Sequence, residues 1–160
     1  MLSIMHFLDA EEKEMLTAQM EPLLFQEDEV IIREGGLNAT LFKIDHGVVR
    51  VIRRVEGKDL ILDDLHEGDA FGELTFLEGG FSSAACKALT GVKVLAMHRK
   101  EFDKICESHP QIGARVWLAM ALNLKERLLK TNDLLASYFN ISQSMMENEQ
   151  FRKFYAYCFQ

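Results

Sequence analysis

Three zones of the chain differ in how apolar residues recur. Residues 1–20 show a helical period. Phe7, Leu8, Met15 and Leu16 can share one face, and Glu11, Glu12, Lys13 and Glu14 supply the wet side. Asp9, ahead of Ala10-Glu11-Glu12, reads as an N-cap with acidic residues in the first turn.

Residues 21–99 change period. Short runs rich in Val, Ile, Leu and Phe predict strands at Leu23–Phe25, Glu29–Arg33, Leu41–Ile44, Val48–Arg53, Leu60–Leu65, Ser83–Ala88 and Val92–His98. Gly35-Gly36, His46-Gly47, Glu56-Gly57, Gly68-Asp69, Gly79-Gly80 and Thr90-Gly91 predict the turns between them. Many short, evenly spaced strands predict a closed or double-sheet architecture such as a jelly roll. Gly72–Leu77 breaks the strand pattern and reads as a short helix lodged between strands.

From residue 100 the chain returns to helix. Lys100–Ser108 is a short helix stopped by Pro110. From Gln111 to about Phe139 there is no further proline, and no glycine after Gly113. Trp117, Ala121, Leu124, Leu128, Thr131, Leu135 and Tyr138 fall at alternating spacings of four and three. That is a heptad seam, the pattern of a helix that pairs with another copy. The same stripe also suits a helix folded back on its own β roll. The tail, Asn140–Gln160, carries Phe151, Phe154, Tyr155, Tyr157 and Phe159 and can form a final short helix. The expected layout is a helix plus β roll over 1–110, a long helix over 111–139 and a helical tail over 140–160.

Composition narrows the function. Of 160 residues, 18 are basic and 25 acidic, a net charge of −7. An acidic chain is a poor match for phosphate backbones or an anionic membrane surface. Cys86, Cys106 and Cys158 are far apart and form no C-x-x-C, which argues against a disulfide scaffold or zinc knuckle. Met1–Ala10 lacks a signal pattern, and no apolar run approaches the ~20 residues of a membrane span. A cytoplasmic protein is expected. His6, His46, His66, His98 and His109 show no metal spacing. There is no G-x-S-x-G, H-E-x-x-H or P-loop, so an enzyme is not expected.

A group of motifs gives the β zone a family likeness. They are Arg33-Glu34-Gly35, Phe42-Lys43-Ile44 with Gly47-Val48-Val49-Arg50-Val51, Leu65 with Gly68-Asp69, and Phe71-Gly72-Glu73-Leu74. Together they resemble the cyclic-nucleotide-binding domain, in particular the sensor half of the Crp/Fnr regulators. The resemblance implies a mainly β fold with flanking helices: a jelly roll, or double-stranded β-helix, followed by a long dimerisation helix. It also implies a ligand, cAMP or cGMP, held by a phosphate cassette over Phe71, Gly72, Glu73 and Leu74 and the strand after it. A helix N-terminus there offers unpaired N–H groups to an anion, and the family glutamate, which accepts from the ribose 2′-hydroxyl, falls on Glu73.

The chain departs from the family at one cassette position. An arginine normally grips the cyclic phosphate, and Ser82 stands in its place, with Ser83 beside it. A serine offers one neutral hydrogen bond rather than a two-pronged charged contact. By analogy with truncating one side of a buried charge pair, the loss is about 2–5 kcal/mol, roughly thirtyfold to a few thousandfold in affinity. Lys87 has the wrong strand parity to substitute, and Arg53, Arg54 or Arg99 are the cations left that could reach in. On the long helix, Thr131 and Asn132 match the polar positions that contact the purine in bacterial cAMP-binding relatives, although a polar break in a seam can also set register. Only about twenty residues follow Tyr138, too few for the family's helix-turn-helix, so no direct DNA binding is expected. The expected function is a small-ligand sensor that signals through its long helix as a homodimer. The alternatives are a degenerate module that recruits a protein partner, or the sensor piece of a longer regulator.

Overall fold

The structure, a computed structural model, describes residues 2–158. Its first helix, α1, is Ala10–Ala18, shorter than the 1–20 expected. The cap explains the difference. The Glu12 N–H donates to Asp9 Oδ1 at 2.9 Å, and the Asp9 N–H donates back to Glu12 Oε2 at 3.0 Å. This reciprocal box starts the helix at Ala10. Ile4, Met5 and Leu8 precede it in non-helical chain and are buried, whereas Phe7 is exposed.

Eight strands follow: β1 Glu21–Phe25, β2 Val30–Ile32, β3 Thr40–His46, β4 Val49–Val55, β5 Lys58–Leu65, β6 Ala70–Phe71, β7 Ala85–Ala88 and β8 Val92–His98. They form two antiparallel four-stranded sheets, ordered β1-β8-β3-β6 and β2-β7-β4-β5. Pro22 sits in β1, an edge strand, where a proline is tolerated. The sheets share one buried cluster, with Ile32, Val49, Leu65 and Cys86 from one and Phe42, Ile44, Phe71 and Val94 from the other. The result is the expected jelly-roll class. The other face of the first sheet supplies Leu41, Ala70 and Met97 to a second cluster with Ile4, Leu16, Phe76, Phe102 and Val116. Strand β3 is therefore buried on both faces, which is why Leu41, Phe42 and Ile44 are all apolar and the run, broken only by the half-buried Lys43, shows no clean alternation.

Several boundaries differ from the sequence reading. Strand β6, two residues long, was not expected. Ser83 and Ala84 form a bend and β7 begins at Ala85. Helix α2, Glu73–Glu78, stands where the lodged helix was expected. Helix α3 is Arg99–Ser108, and His109, not Pro110, is its C-cap. Pro110 opens the next helix, α4 Pro110–Glu147, at a first-turn position whose N–H would have no helical partner. Helix α4 runs past the expected end at 139 because nothing in the sequence stops it before Asn148. There the Phe151 N–H donates to Asn148 Oδ1 at 3.0 Å and a fresh helix starts, α5 Glu149–Cys158. Phe159 lies outside the described residues. The chain divides into two compact units, Met1–Leu122 and Asn123–Gln160.

Candidate functional site

The candidate site is built from the β6–α2 corner of the first unit. Strand β6 pairs with β3, and the rings of Phe71 and Phe42 stack with centroids 5.0 Å apart and planes 14° apart. Phe71 is thereby committed to the core, and its side chain faces no solvent. Gly72 follows with φ +83°, and a Cβ there would lie 2.6 Å from the Thr40 carbonyl oxygen. Only glycine turns this corner without strain or overlap. Glu73 is then the first residue of α2, only 6% exposed, and it interacts with the protein around it. Leu74, next to it, is more than half exposed.

A polar network fixes the start of α2. Asn38 Nδ2 donates to Thr75 Oγ1 at 2.8 Å and to the Thr40 carbonyl at 2.9 Å. The Thr75 hydroxyl donates to the Gly72 carbonyl at 3.2 Å. The same connection between β2 and β3 is stapled to Ser82. The Gly35 N–H donates to Ser82 O at 2.7 Å, and the Ser82 N–H to Gly36 O at 2.9 Å. Residues Gly72, Glu73, Leu74 and Ser82 are thus gathered around one connecting segment. Ser82 is buried, and its hydroxyl finds no hydrogen-bond partner among the described residues. Ser83 is exposed in the bend.

The cations that sequence reasoning weighed against the missing arginine are mostly engaged elsewhere. Lys87 Nζ lies 2.7 Å from Asp28 Oδ1. Arg54 Nε lies 3.9 Å from Asp59 Oδ1, and the Arg54 backbone N–H donates to Glu34 Oε2 at 2.8 Å. Arg99 is bound to the far end of α2, at the Phe76 and Leu77 carbonyls. Arg53, exposed on β4, has no side-chain partner among the described residues. Three residues earlier on β4, Arg50 grips Asp64 with two bonds, at 2.8 and 2.7 Å, and this guanidinium holds the Asp64 carboxyl below the usual carboxylate range.

The remaining expected site residues lie on α4. Thr131 and Asn132 belong to the second unit and are exposed, and the Thr131 hydroxyl donates to the Arg127 carbonyl at 2.9 Å. Of the seam, Trp117 and Ala121 belong to the first unit, and Leu124, Leu128, Thr131, Leu135 and Tyr138 to the second. Trp117 is half-buried and packs against Phe76 and Phe102 of its own chain, while Ala121 is exposed and Leu124 half-buried. Leu128, Leu135 and Tyr138 are exposed by 62%, 62% and 66%.

Sequence reasoning missed one concavity. An open groove of about 830 Å³ is lined by His46, Gly47, His66, Glu67, Gly91 and Lys93 among others, and by no cassette residue. His46 Nδ1 and Glu67 Oε1 are 2.6 Å apart on its wall. No local signal could have found it, because it is made by turns that are distant in sequence.

The sequence profile of the cyclic nucleotide-binding domain matches residues 22–109, which takes in both sheets and α2. The chain belongs to that family. The cyclic nucleotide-binding domain here is 28% identical over 140 residues to the human potassium/sodium hyperpolarization-activated cyclic nucleotide-gated channel 1, covering 84% of this chain and 15% of the channel. The human channel 2 is 30% identical over 112 residues, covering 70% of this chain and 12% of the channel. The chain thus spans only about 15% of the length of the curated relatives it matches. Among solved structures, the Thermus thermophilus catabolite activator protein is 27% identical with a TM-score of 0.73, covering 84% of this chain and 63% of that one. A cAMP-bound PfPKA-R is 28% identical with a TM-score of 0.59, covering 65% and 37%. The family is one of regulatory ligand-binding domains.

Proposed function

We propose that this cyclic nucleotide-binding domain is a non-catalytic sensor that binds cAMP or cGMP at the Glu73 end of α2 and reports occupancy through α4. The observation that carries the reading is Glu73 itself. A carboxylate buried in the first turn of a helix, directly after a left-handed glycine in close backbone contact, is an acceptor held in a fixed position at a tight corner. Glu73 accepts from the ribose hydroxyl, and the backbone of Gly72 and Leu74 approaches the ligand. Ser82 and Ser83 supply neutral donors to the cyclic phosphate, and Phe71 holds the corner from the core side. The orphaned Ser82 hydroxyl supports this, since a buried donor without a partner is costly until one arrives. The cAMP-bound state of PfPKA-R supports the choice of ligand class.

The protein acts as a homodimer through the exposed apolar positions of α4. It works in the cytoplasm. Among the described residues no helix is long and apolar enough to cross a membrane. The test is calorimetric titration of the parent and of Glu73→Ala with cAMP and cGMP. Saturable binding to the parent that Glu73→Ala abolishes is expected, and equal affinity in the two proteins removes Glu73 from the site.

A second reading has its own support. Arg54, Arg99 and Lys87 are occupied elsewhere and Ser82 is closed over, which favours a domain that binds no nucleotide and recruits a protein partner. Titrations flat for both nucleotides select it.

A further inference from the structure

Helix α2 leaves its last carbonyls without helical partners, as every helix does. One is satisfied locally, by the Gly79 N–H donating to Thr75 O at 2.7 Å. Two more are satisfied from another element. Arg99, the first residue of α3, donates from Nη1 to the Phe76 carbonyl at 2.7 Å and to the Leu77 carbonyl at 2.6 Å. Its Nε donates to Asp103 Oδ1 at 2.7 Å, one turn along α3, which fixes the guanidinium plane. A positive group therefore sits at the negative end of α2.

The same guanidinium touches a third helix. Its central carbon lies 5.3 Å from the ring centre of Trp117 on α4 and 5.8 Å from that of Phe76, both within cation–π range. Trp117 in turn meets Phe102 edge-on, with centroids 5.1 Å apart, and Phe76 at 6.0 Å. Every residue of this junction belongs to the first unit. Helix α2 has only six residues, so its two ends are about 9 Å apart.

We propose that Arg99 is a positioning residue that carries a displacement of the Glu73 end of α2 to Trp117, and so to α4. It touches no ligand and acts through α2. When α2 moves, it must either take the guanidinium with it and change the stacking on Trp117, or break two charge-assisted bonds. Both outcomes alter the surroundings of the Trp117 ring. Lysine keeps the charge but lacks the planar fork that serves two carbonyls, a carboxylate and an aromatic face at once. The proposal rests on the reading that the Glu73 end of α2 is the ligand site.

Trp117 is the only tryptophan in the chain, so its fluorescence reads the junction directly. In one arm, cAMP and cGMP are titrated into the parent and into Arg99→Lys, with emission and calorimetry recorded side by side. The expected result is an emission change in the parent that follows the calorimetric isotherm. In Arg99→Lys most of that change is lost while affinity stays within about threefold. A second arm needs no ligand. Thr75→Val removes the bonds from Asn38 and to the Gly72 carbonyl that fix the start of α2. It shifts Trp117 emission in the parent and leaves it nearly unmoved in Arg99→Lys. Should Arg99→Lys fold poorly, Asp103→Ala, which removes the acceptor of Nε and keeps the cation, takes its place. An Arg99→Lys protein whose emission responds as fully as the parent's overturns the proposal, as does a parent that Thr75→Val leaves unmoved. Flat calorimetry with both nucleotides counts instead against the Glu73 reading, and the Thr75→Val pair then decides the role of Arg99.

Discussion

At Gly72 a single methyl group decides whether the cassette corner can form. The backbone is left-handed there and the Thr40 carbonyl is 2.6 Å from where a Cβ would sit. Gly72→Ala is predicted to cost about 2–4 kcal/mol from strain and overlap together, or roughly 4–16 °C in melting temperature for a chain of this size. A melting temperature unchanged in thermal denaturation would show that the corner relaxes freely. The Arg50–Asp64 pair gives a second prediction, in pH. Its folded carboxyl titrates below the ordinary aspartate value. The pair's contribution is therefore complete above the unfolded pKa of about 3.9 and is lost as pH falls through the lower folded value. Both side chains are about a third exposed, so the effect is small. Asp64→Asn should flatten the acid limb of stability against pH in urea unfolding and leave the neutral limb with the same slope. An acid limb as steep as the parent's would contradict this. At this scale, Gly72 and Glu73 are legible in sequence because a local motif specifies them. Ser82 is legible as a substitution, but its burial is not, since that depends on Gly35 and Gly36 closing over it from another segment.

Helices were legible in proportion to their stop signals. Pro110 was visible as a boundary, though it proves to begin α4 rather than only to end α3. The end of α4 was hidden because Asn148 acts as a cap for α5 through a side-chain bond that no spacing announces. Strand β6 escaped because two residues cannot show a period. The heptad seam was legible as a pattern, but a pattern does not say what covers it. Its first residue, Trp117, is packed on Phe76 and Phe102 of the same chain. Its later residues, Leu128, Leu135 and Tyr138, are exposed in the chain alone. In the proposed homodimer a second copy covers those positions. Leu128→Glu places a charge on that face and should turn a dimer into monomers by light scattering, with the helical content of the protein preserved. A variant that keeps the parent's mass contradicts the interface.

Over the whole molecule, two sheets and the helix lodged between their strands carry the cyclic nucleotide-binding domain fold, and fold alone does not specify the ligand. The jelly roll and the family were legible because glycine punctuation and short apolar runs repeat across most of the first unit. What the ligand must do was not, because the anion contact depends on long-range placement of cations. Arg99 illustrates the point: its position in the sequence suggests a strand end near the site, while the fold commits it to the opposite end of α2. Binding acts on α4 only through a difference in affinity between two arrangements of the protein. Melting temperature in the presence of cAMP, cGMP and their non-cyclic monophosphates measures the first requirement directly. A cyclic nucleotide at a hundred times its dissociation constant should add about 2.7 kcal/mol, which is roughly 5–11 °C for this chain, with a smaller shift from the non-cyclic forms. No shift from either cyclic nucleotide at millimolar concentration would contradict a working nucleotide site at Glu73.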